Sequence, residues 1–140
     1  MKKIVLVGGC FDLLHFGHIS FLKQAKALGD HLIVALESDE NVRHMKGDAR
    51  PIHTQAQRKE MLESLSFVDE VIALPAMHGD RDYYELVRNI KPSIIAVTQG
   101  DTSLVKKREQ AEEIGANLVE IPKIHTPSTS QLAKLLGLEG

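Results

Sequence analysis

Two histidines, His15 and His18, flank Phe16 and Gly17 shortly after a Gly8-Gly9 pair, and this segment of the 140-residue chain is the one best suited to chemistry. In the first turn of a helix, a spacing of three puts both rings on one face, with Cβ atoms about 5–6 Å apart. A helix N-terminus also presents unpaired N–H groups and the positive end of its dipole, which attract phosphate. Gly8 and Gly9 allow a tight turn and close backbone approach to a ligand, and Gly17 removes a side chain where a polyphosphate would have to come near. His-x-Gly-His arises by chance in roughly one chain in forty of this composition, so the four letters gain weight only from their position. His31, His44, His53, His78 and His125 read as surface or capping residues. Zinc is a weak reading, because two ligands at this spacing lack a third and no His-Glu-x-x-His pattern completes the set.

The segment has to be positioned by the short apolar runs that alternate with amphipathic ones along the chain. Residues 4–7, 31–36, 68–74, 94–97 and 118–121 read as buried strands. Residues 17–28, 55–65, 82–90, 103–114 and 128–136 read as helices; the first carries Ile19, Phe21, Leu22, Ala25 and Leu28 at helical spacing. Gly29 follows where a helix end favours positive φ, and Lys91-Pro92 stops the third helix. The alternation predicts one domain over residues 1–140: an α/β, Rossmann-like, doubly wound parallel five-stranded sheet with helices on both faces. Such sheets bind ligands beyond the carboxyl ends of their strands, where strand order reverses. The histidine pair falls in the passage from first strand to first helix, and residues 39–53 form the longest connection, able to cover a site.

Composition narrows the classes. With 43% hydrophobic and 26% charged residues and a formal charge of −2, the chain has no general grip on nucleic acid or on an anionic membrane. No apolar run approaches the ~18 residues of a membrane span. Residues 4–7 are too short for a secretory signal and read as a strand. One cysteine, Cys10, leaves no internal disulfide, so a cytoplasmic location is expected. A P-loop ATPase and a dinucleotide reductase are disfavoured, because neither Gly-x-x-x-x-Gly-Lys-Ser/Thr nor Gly-x-Gly-x-x-Gly occurs.

The stretch Gly9-Cys10-Phe11-Asp12-Leu13-Leu14-His15-Phe16-Gly17-His18 resembles the first signature of the cytidylyltransferase-like nucleotidyltransferases. Glycerol-3-phosphate cytidylyltransferase, the heptose-phosphate adenylyltransferase domain and archaeal FAD synthetase are similar over it. Cys10 stands where Thr is common, a change that a backbone contact would tolerate. The likeness continues through Ala27-Leu28-Gly29-Asp30, Ser38-Asp39-Glu40, Gln57-Arg58 and Val68-Asp69-Glu70-Val71. It ends in Lys123-Ile124-His125-Thr126-Pro127-Ser128-Thr129-Ser130, which resembles the family's second signature.

The resemblance implies transfer of a nucleoside monophosphate from CTP or ATP to a small phosphorylated acceptor, a polyol or sugar phosphate, with release of pyrophosphate. Gly9, Cys10, Phe11 and Gly17 would line the nucleotide, and His15 and His18 would stabilise the α-phosphate as it reacts. Lys46 matches a lysine that closes over the phosphates; otherwise it is an ordinary solvated lysine. Lys123, Ser128, Thr129 and Ser130 would hold the β- and γ-phosphates, a role compatible with simple helix capping. Asp12 and Asp39 fit either the acceptor pocket or a plain turn, and Arg58 fits either the acceptor phosphate or a surface pair with Glu60 or Glu63. No protein-only metal cage is expected, since Mg2+ keeps waters and takes ligands from substrate phosphates. Related enzymes are commonly homodimers.

The base stays open. Thr98-Gln99-Gly100-Asp101 and Asp48-Ala49-Arg50-Pro51 resemble heptose-phosphate adenylyltransferases, which favours ATP, while length and ending resemble the cytidylyltransferases, which use CTP. An FAD synthetase-like adenylyl transfer to FMN and a noncatalytic nucleotide-binding module of the same fold are the alternatives. A class I aminoacyl-tRNA synthetase shares His-x-Gly-His, but 140 acidic-leaning residues leave no tRNA-binding domain.

Overall fold

A computed structural model describes residues 2–124, 131 and 134–137. Five strands, β1 (Ile4–Gly9), β2 (His31–Leu36), β3 (Glu70–Ala73), β4 (Ile94–Thr98) and β5 (Asn117–Ile121), form one sheet in the order β3-β2-β1-β4-β5. Every pairing is parallel. The helices are α1 (Phe16–Ala27), α2 (Asp39–Lys46), α3 (Gln55–Glu63), α4 (Asp80–Ile90) and α5 (Leu104–Ile114). The doubly wound Rossmann-like sheet read from the sequence is the one observed.

Alternation along each strand sends side chains into two cores. Val5, Val7, Leu32, Val34 and Leu36 pack with Leu22 and Ala25 of α1 and Leu62 of α3 on one face. Leu6, Ile33, Ala35, Ile95 and Val97 pack with Val87 of α4 and Ala111 of α5 on the other. Each fully buried Leu or Val contributes about 1.5–3 kcal/mol, which is why these runs are apolar on both faces. Among the described residues no helix is long and apolar enough to cross a membrane.

Two details differ from the sequence reading. The connection over residues 39–53 holds a helix of its own, α2, of which only Val42 is buried. A single inward residue leaves no apolar stripe to detect; the helix is instead specified at its ends. Ser38 accepts the Asn41 N–H at 3.1 Å, Asp39 and Glu40 occupy the first turn, and Arg43, His44 and Lys46 the last. Second, Gly29 is not a positive-φ cap: Leu28 is the C-cap, and Gly29 is absent from the left-handed glycines. A Cβ there would stand 2.5 Å from the Lys3 carbonyl oxygen, so close chain packing requires the glycine. The helix expected over residues 128–136 falls largely outside the described residues.

Candidate nucleotide site

β1 and β4 lie side by side in the sheet, but β1 is followed by a crossover to β2 and β4 by one to β5, so strand order reverses between them. Their ladder holds only Val5–Ile94 and Leu6–Ile95, whereas β1 and β2 stay paired through Gly9–Leu36. Beyond Leu6 the two strands part. Gly8, although in the central strand, is exposed, so a crevice reaches down to it. The loop from β1 to α1 forms one lip of that crevice.

This loop is strained. Phe11 and Leu13 have φ of 46° and 57°, a region costing non-glycine residues roughly 1–2 kcal/mol each. The contortion folds the Phe11 ring back over Gly9, where a Cβ would come within 2.9 Å of it. Phe11 in turn meets the His18 ring edge-on, with centroids 5.4 Å apart.

His15 is the N-cap of α1, and its Nδ1 accepts the Gly17 N–H at 3.0 Å. His18 Nδ1 accepts the His15 N–H at 3.3 Å. With Nδ1 of each ring used as an acceptor, each neutral imidazole carries its proton on Nε2. The ring centroids are 4.0 Å apart. Burial pushes the His18 pKa down to about 4, helped by His15, Lys46 and Arg50, and burial lowers His15 as well. At neutral pH the pair therefore offers two Nε2–H donors without two buried charges.

A stability consequence follows. His18 titrates near 6.5 when unfolded and near 4 when folded, so the unfolded chain binds the extra proton between those values. Thermal stability should fall as pH drops from about 6.5 to about 4, and His18→Ala should flatten that slope. Parallel slopes for the two proteins would show that His18 is not buried neutral.

The two aspartates and the arginine read as acceptor candidates are engaged within the protein. Asp12 is 2% exposed; it accepts Arg50 Nε and the Ile52 N–H, each at 2.7 Å, and the His53 N–H at 3.0 Å. Burial alone would raise its pKa, but these hydrogen bonds outweigh it and hold the carboxyl below the ordinary carboxylate range. Arg58 is 1% exposed and is not a surface residue paired with Glu60 or Glu63. It donates to the carbonyls of Cys10 (2.8 Å), Glu37 (3.0 Å) and His53 (3.1 Å), and to Asp39 Oδ1 (2.7 Å). Asp12 and Arg58 thus fix the loop after β1 to the segment entering α3.

Lys46 ends α2 with its side chain exposed, and its charge acts on both His18 and Cys10. Burial raises the Cys10 thiol pKa, and its Sγ lies 3.8 Å from Met45 Sδ. Lys123 is exposed just past β5, on the carboxyl edge shared by all five parallel strands. Ser128, Thr129 and Ser130 lie outside the described residues. Asp101, in the loop after β4, accepts the Ser103 N–H at 2.6 Å and Lys107 Nζ at 2.7 Å.

One buried acid at this edge escaped the sequence reading. Glu37, directly after β2, is 6% exposed, and Tyr83 Oη of α4 donates to its carboxylate at 2.8–3.0 Å. The only available signal was an acidic residue ending the apolar run of β2.

Comparison with known proteins agrees with the geometry. The sequence model of the cytidylyltransferase-like family matches residues 6–129. The bifunctional protein HldE of Desulfatibacillum aliphaticivorans is 40% identical over 134 residues, covering 94% of this chain and 26% of that protein. The chain thus spans about a quarter of the length of the HldE relatives it matches. An FAD synthase of Thermococcus sibiricus is 38% identical over 141 residues, covering 96% of this chain and 91% of that protein. Among solved structures, a lipopolysaccharide core biosynthesis protein of Thermoplasma volcanium GSS1 superposes with a TM-score of 0.70 at 26% identity, over 89% of this chain and 98% of that one. The pantoate-beta-alanine ligase of Francisella tularensis, at 18% identity and TM-score 0.62 over 90% of this chain and 61% of its own, shares the fold. A family match from the middle of β1 to residue 129, on a sheet whose crevice is lipped by paired imidazoles, leads to one conclusion: the chain belongs to the cytidylyltransferase-like family.

Proposed function

We propose that this chain transfers a nucleoside monophosphate from ATP or CTP to a small phosphorylated acceptor and releases pyrophosphate. The supporting observation is the His15–His18 pair at the N-terminus of α1, both rings tied through Nδ1 and left with Nε2–H donors at the switch point of the sheet. Attack of an acceptor phosphate oxygen on the α-phosphorus forms one P–O bond and breaks the bond to pyrophosphate. Negative charge grows on the α-phosphoryl oxygens as the site crowds, and fixed donors there stabilise that state more than the ground state. His15, His18 and Lys46 are assigned to this task. Lys123, Ser128, Thr129 and Ser130 are assigned to the departing phosphates, and Gly9, Cys10, Phe11 and Gly17 to shaping the floor beneath the nucleotide.

Magnesium is assigned to the nucleotide phosphates, whose charge it would neutralise. The neighbouring aspartates are engaged by cations, Asp12 by Arg50, Asp39 by Arg58 and Asp101 by Lys107, so an ion borne by phosphate fits this donor set better than a protein cage. Our reading favours ATP, supported by the likeness to an FAD synthase along nearly all its length and by the Thr98–Asp101 loop, which resembles that of the adenylyltransferases. A homodimer in the cytoplasm completes the reading, the free Cys10 thiol suiting a reducing compartment.

Pyrophosphate release with ATP or CTP, magnesium and a panel of polyol phosphates, sugar phosphates and FMN tests the proposal. Release dependent on one acceptor class supports it; nucleotide binding without release in any pairing returns the chain to a binding module. Lys46→Ala should lower kcat/KM on the order of 10-fold or more with folding unchanged, and full activity would remove Lys46 from the site.

A further inference from the structure

Glu37 has no part in the scheme above, yet it is among the most buried acids near the crevice. Its place follows from strand alternation. Ile33 and Ala35 face the α4–α5 side, so Glu37, two residues further, faces that side at the carboxyl edge. Leu6 faces the same way on β1, so Gly8 does too, and Gly8 is paired with Ala35. A Cβ built on Gly8 would meet nothing nearer than the Ala35 carbonyl at 3.7 Å. The structure thus sets a buried carboxylate beside an exposed, side-chain-free floor in the central strand.

The surroundings of Glu37 are built rather than incidental. Its N–H donates to the Gly9 carbonyl at 3.0 Å, its own carbonyl receives Arg58, and its carboxylate receives Tyr83 Oη. A carboxylate has about four lone-pair sites, and the single Tyr83 proton leaves capacity for more donors. Burial pushes the Glu37 pKa up, against the pull of Tyr83, Lys107 and Arg58. Both cations are committed elsewhere, Lys107 to Asp101 and Arg58 to Asp39, each at 2.7 Å. Hydroxyl donors of a ligand would fill the remaining lone pairs without bringing a further charge into the buried site.

We propose that Glu37, steadied by Tyr83, is a specificity-determining residue that reads hydroxyl groups on the carbon chain of the phosphorylated acceptor, over the floor left open by Gly8. The inference rests on the transferase reading and adds to it the residue that selects a hydroxylated acceptor. Tyr83 is a positioning residue: it holds the carboxylate in one orientation. A glycerol, sugar or ribityl phosphate would satisfy the same contact, and the acceptor panel separates them.

The test compares wild type with Glu37→Gln, a near-isosteric change, in a pyrophosphate-release assay. The acceptors are glycerol 3-phosphate, a hexose 1-phosphate, FMN, propyl phosphate and phosphoethanolamine. Wild type should favour the best hydroxylated acceptor over propyl phosphate and phosphoethanolamine on the order of 10–10²-fold in kcat/KM. Glu37→Gln should collapse that preference through acceptor KM, leaving nucleotide KM within about twofold. Tyr83→Phe should shift it the same way by less. Equal use of propyl phosphate by wild type, a preference for phosphoethanolamine, or an unchanged preference in Glu37→Gln would overturn the inference while leaving the transferase reading intact. No release with any acceptor would overturn both. If Glu37→Gln fails to fold, Tyr83→Phe carries the test: a weakened hydroxyl preference with nucleotide KM kept supports the inference, and an unchanged preference overturns it.

Discussion

His18→Ala should lower turnover on the order of 10²–10³-fold while changing nucleotide affinity much less. The size of the effect comes from preorganisation. The His18 ring is held on three sides, by the His15 N–H at 3.3 Å, the His15 ring at 4.0 Å between centroids and the edge of Phe11 at 5.4 Å. A donor fixed this way needs no reorganisation as charge grows on the α-phosphoryl oxygens. His15→Ala tests the same chemistry less cleanly, because it also removes the N-cap of α1, worth about 1 kcal/mol. Comparing the two variants by kcat and by thermal midpoint separates donor from cap. Turnover within a few-fold of wild type in folded His18→Ala would remove the pair from catalysis.

Arg58→Ala should be the most damaging single change to stability, about 3–5 kcal/mol and on the order of 10–20 °C in Tm. Truncation leaves three carbonyls, those of Cys10, Glu37 and His53, and the Asp39 carboxylate without their donor, and opens a void at a 1% exposed position. Arg58→Lys should recover little, since an ammonium cannot span four acceptors set around a planar fork. Denaturant unfolding gives the measurement, and a loss below about 1 kcal/mol would show that water replaces the guanidinium. Through one guanidinium Arg58 ties together the chain segments of Cys10, Glu37 and His53.

Strand positions were legible because parallel strands buried on both faces must be apolar throughout, as in residues 32–36 and 94–97. The histidine pair was legible because its spacing and the glycines before it are local. Arg58 was not, because nothing in the sequence around residue 58 reveals that the Cys10 and Glu37 carbonyls converge on it from 48 and 21 residues away. Asp12 was half-legible: a turn role is one of the two its position allows, but its partners Arg50, Ile52 and His53 sit across the fold. Helix α2 was hidden for the opposite reason. Its determinants are local but lie in end charges and a Ser38 cap rather than in an apolar stripe.

The parting of β1 from β4 has a mechanical side. The sheet is two panels, β3-β2-β1 and β4-β5, stitched by two ladder rungs and the bond from Ser93 N–H to the Ile4 carbonyl at 2.9 Å, all near the amino ends of the strands. With every stitch at that end, the open carboxyl edge is where the panels have most freedom to flex. A ligand filling the crevice would touch both panels and complete the seam. Part of its binding energy is then spent on stiffening, and occupancy should register as slower amide exchange at Gly8 and Thr98, which face the open seam, as well as a raised melting point.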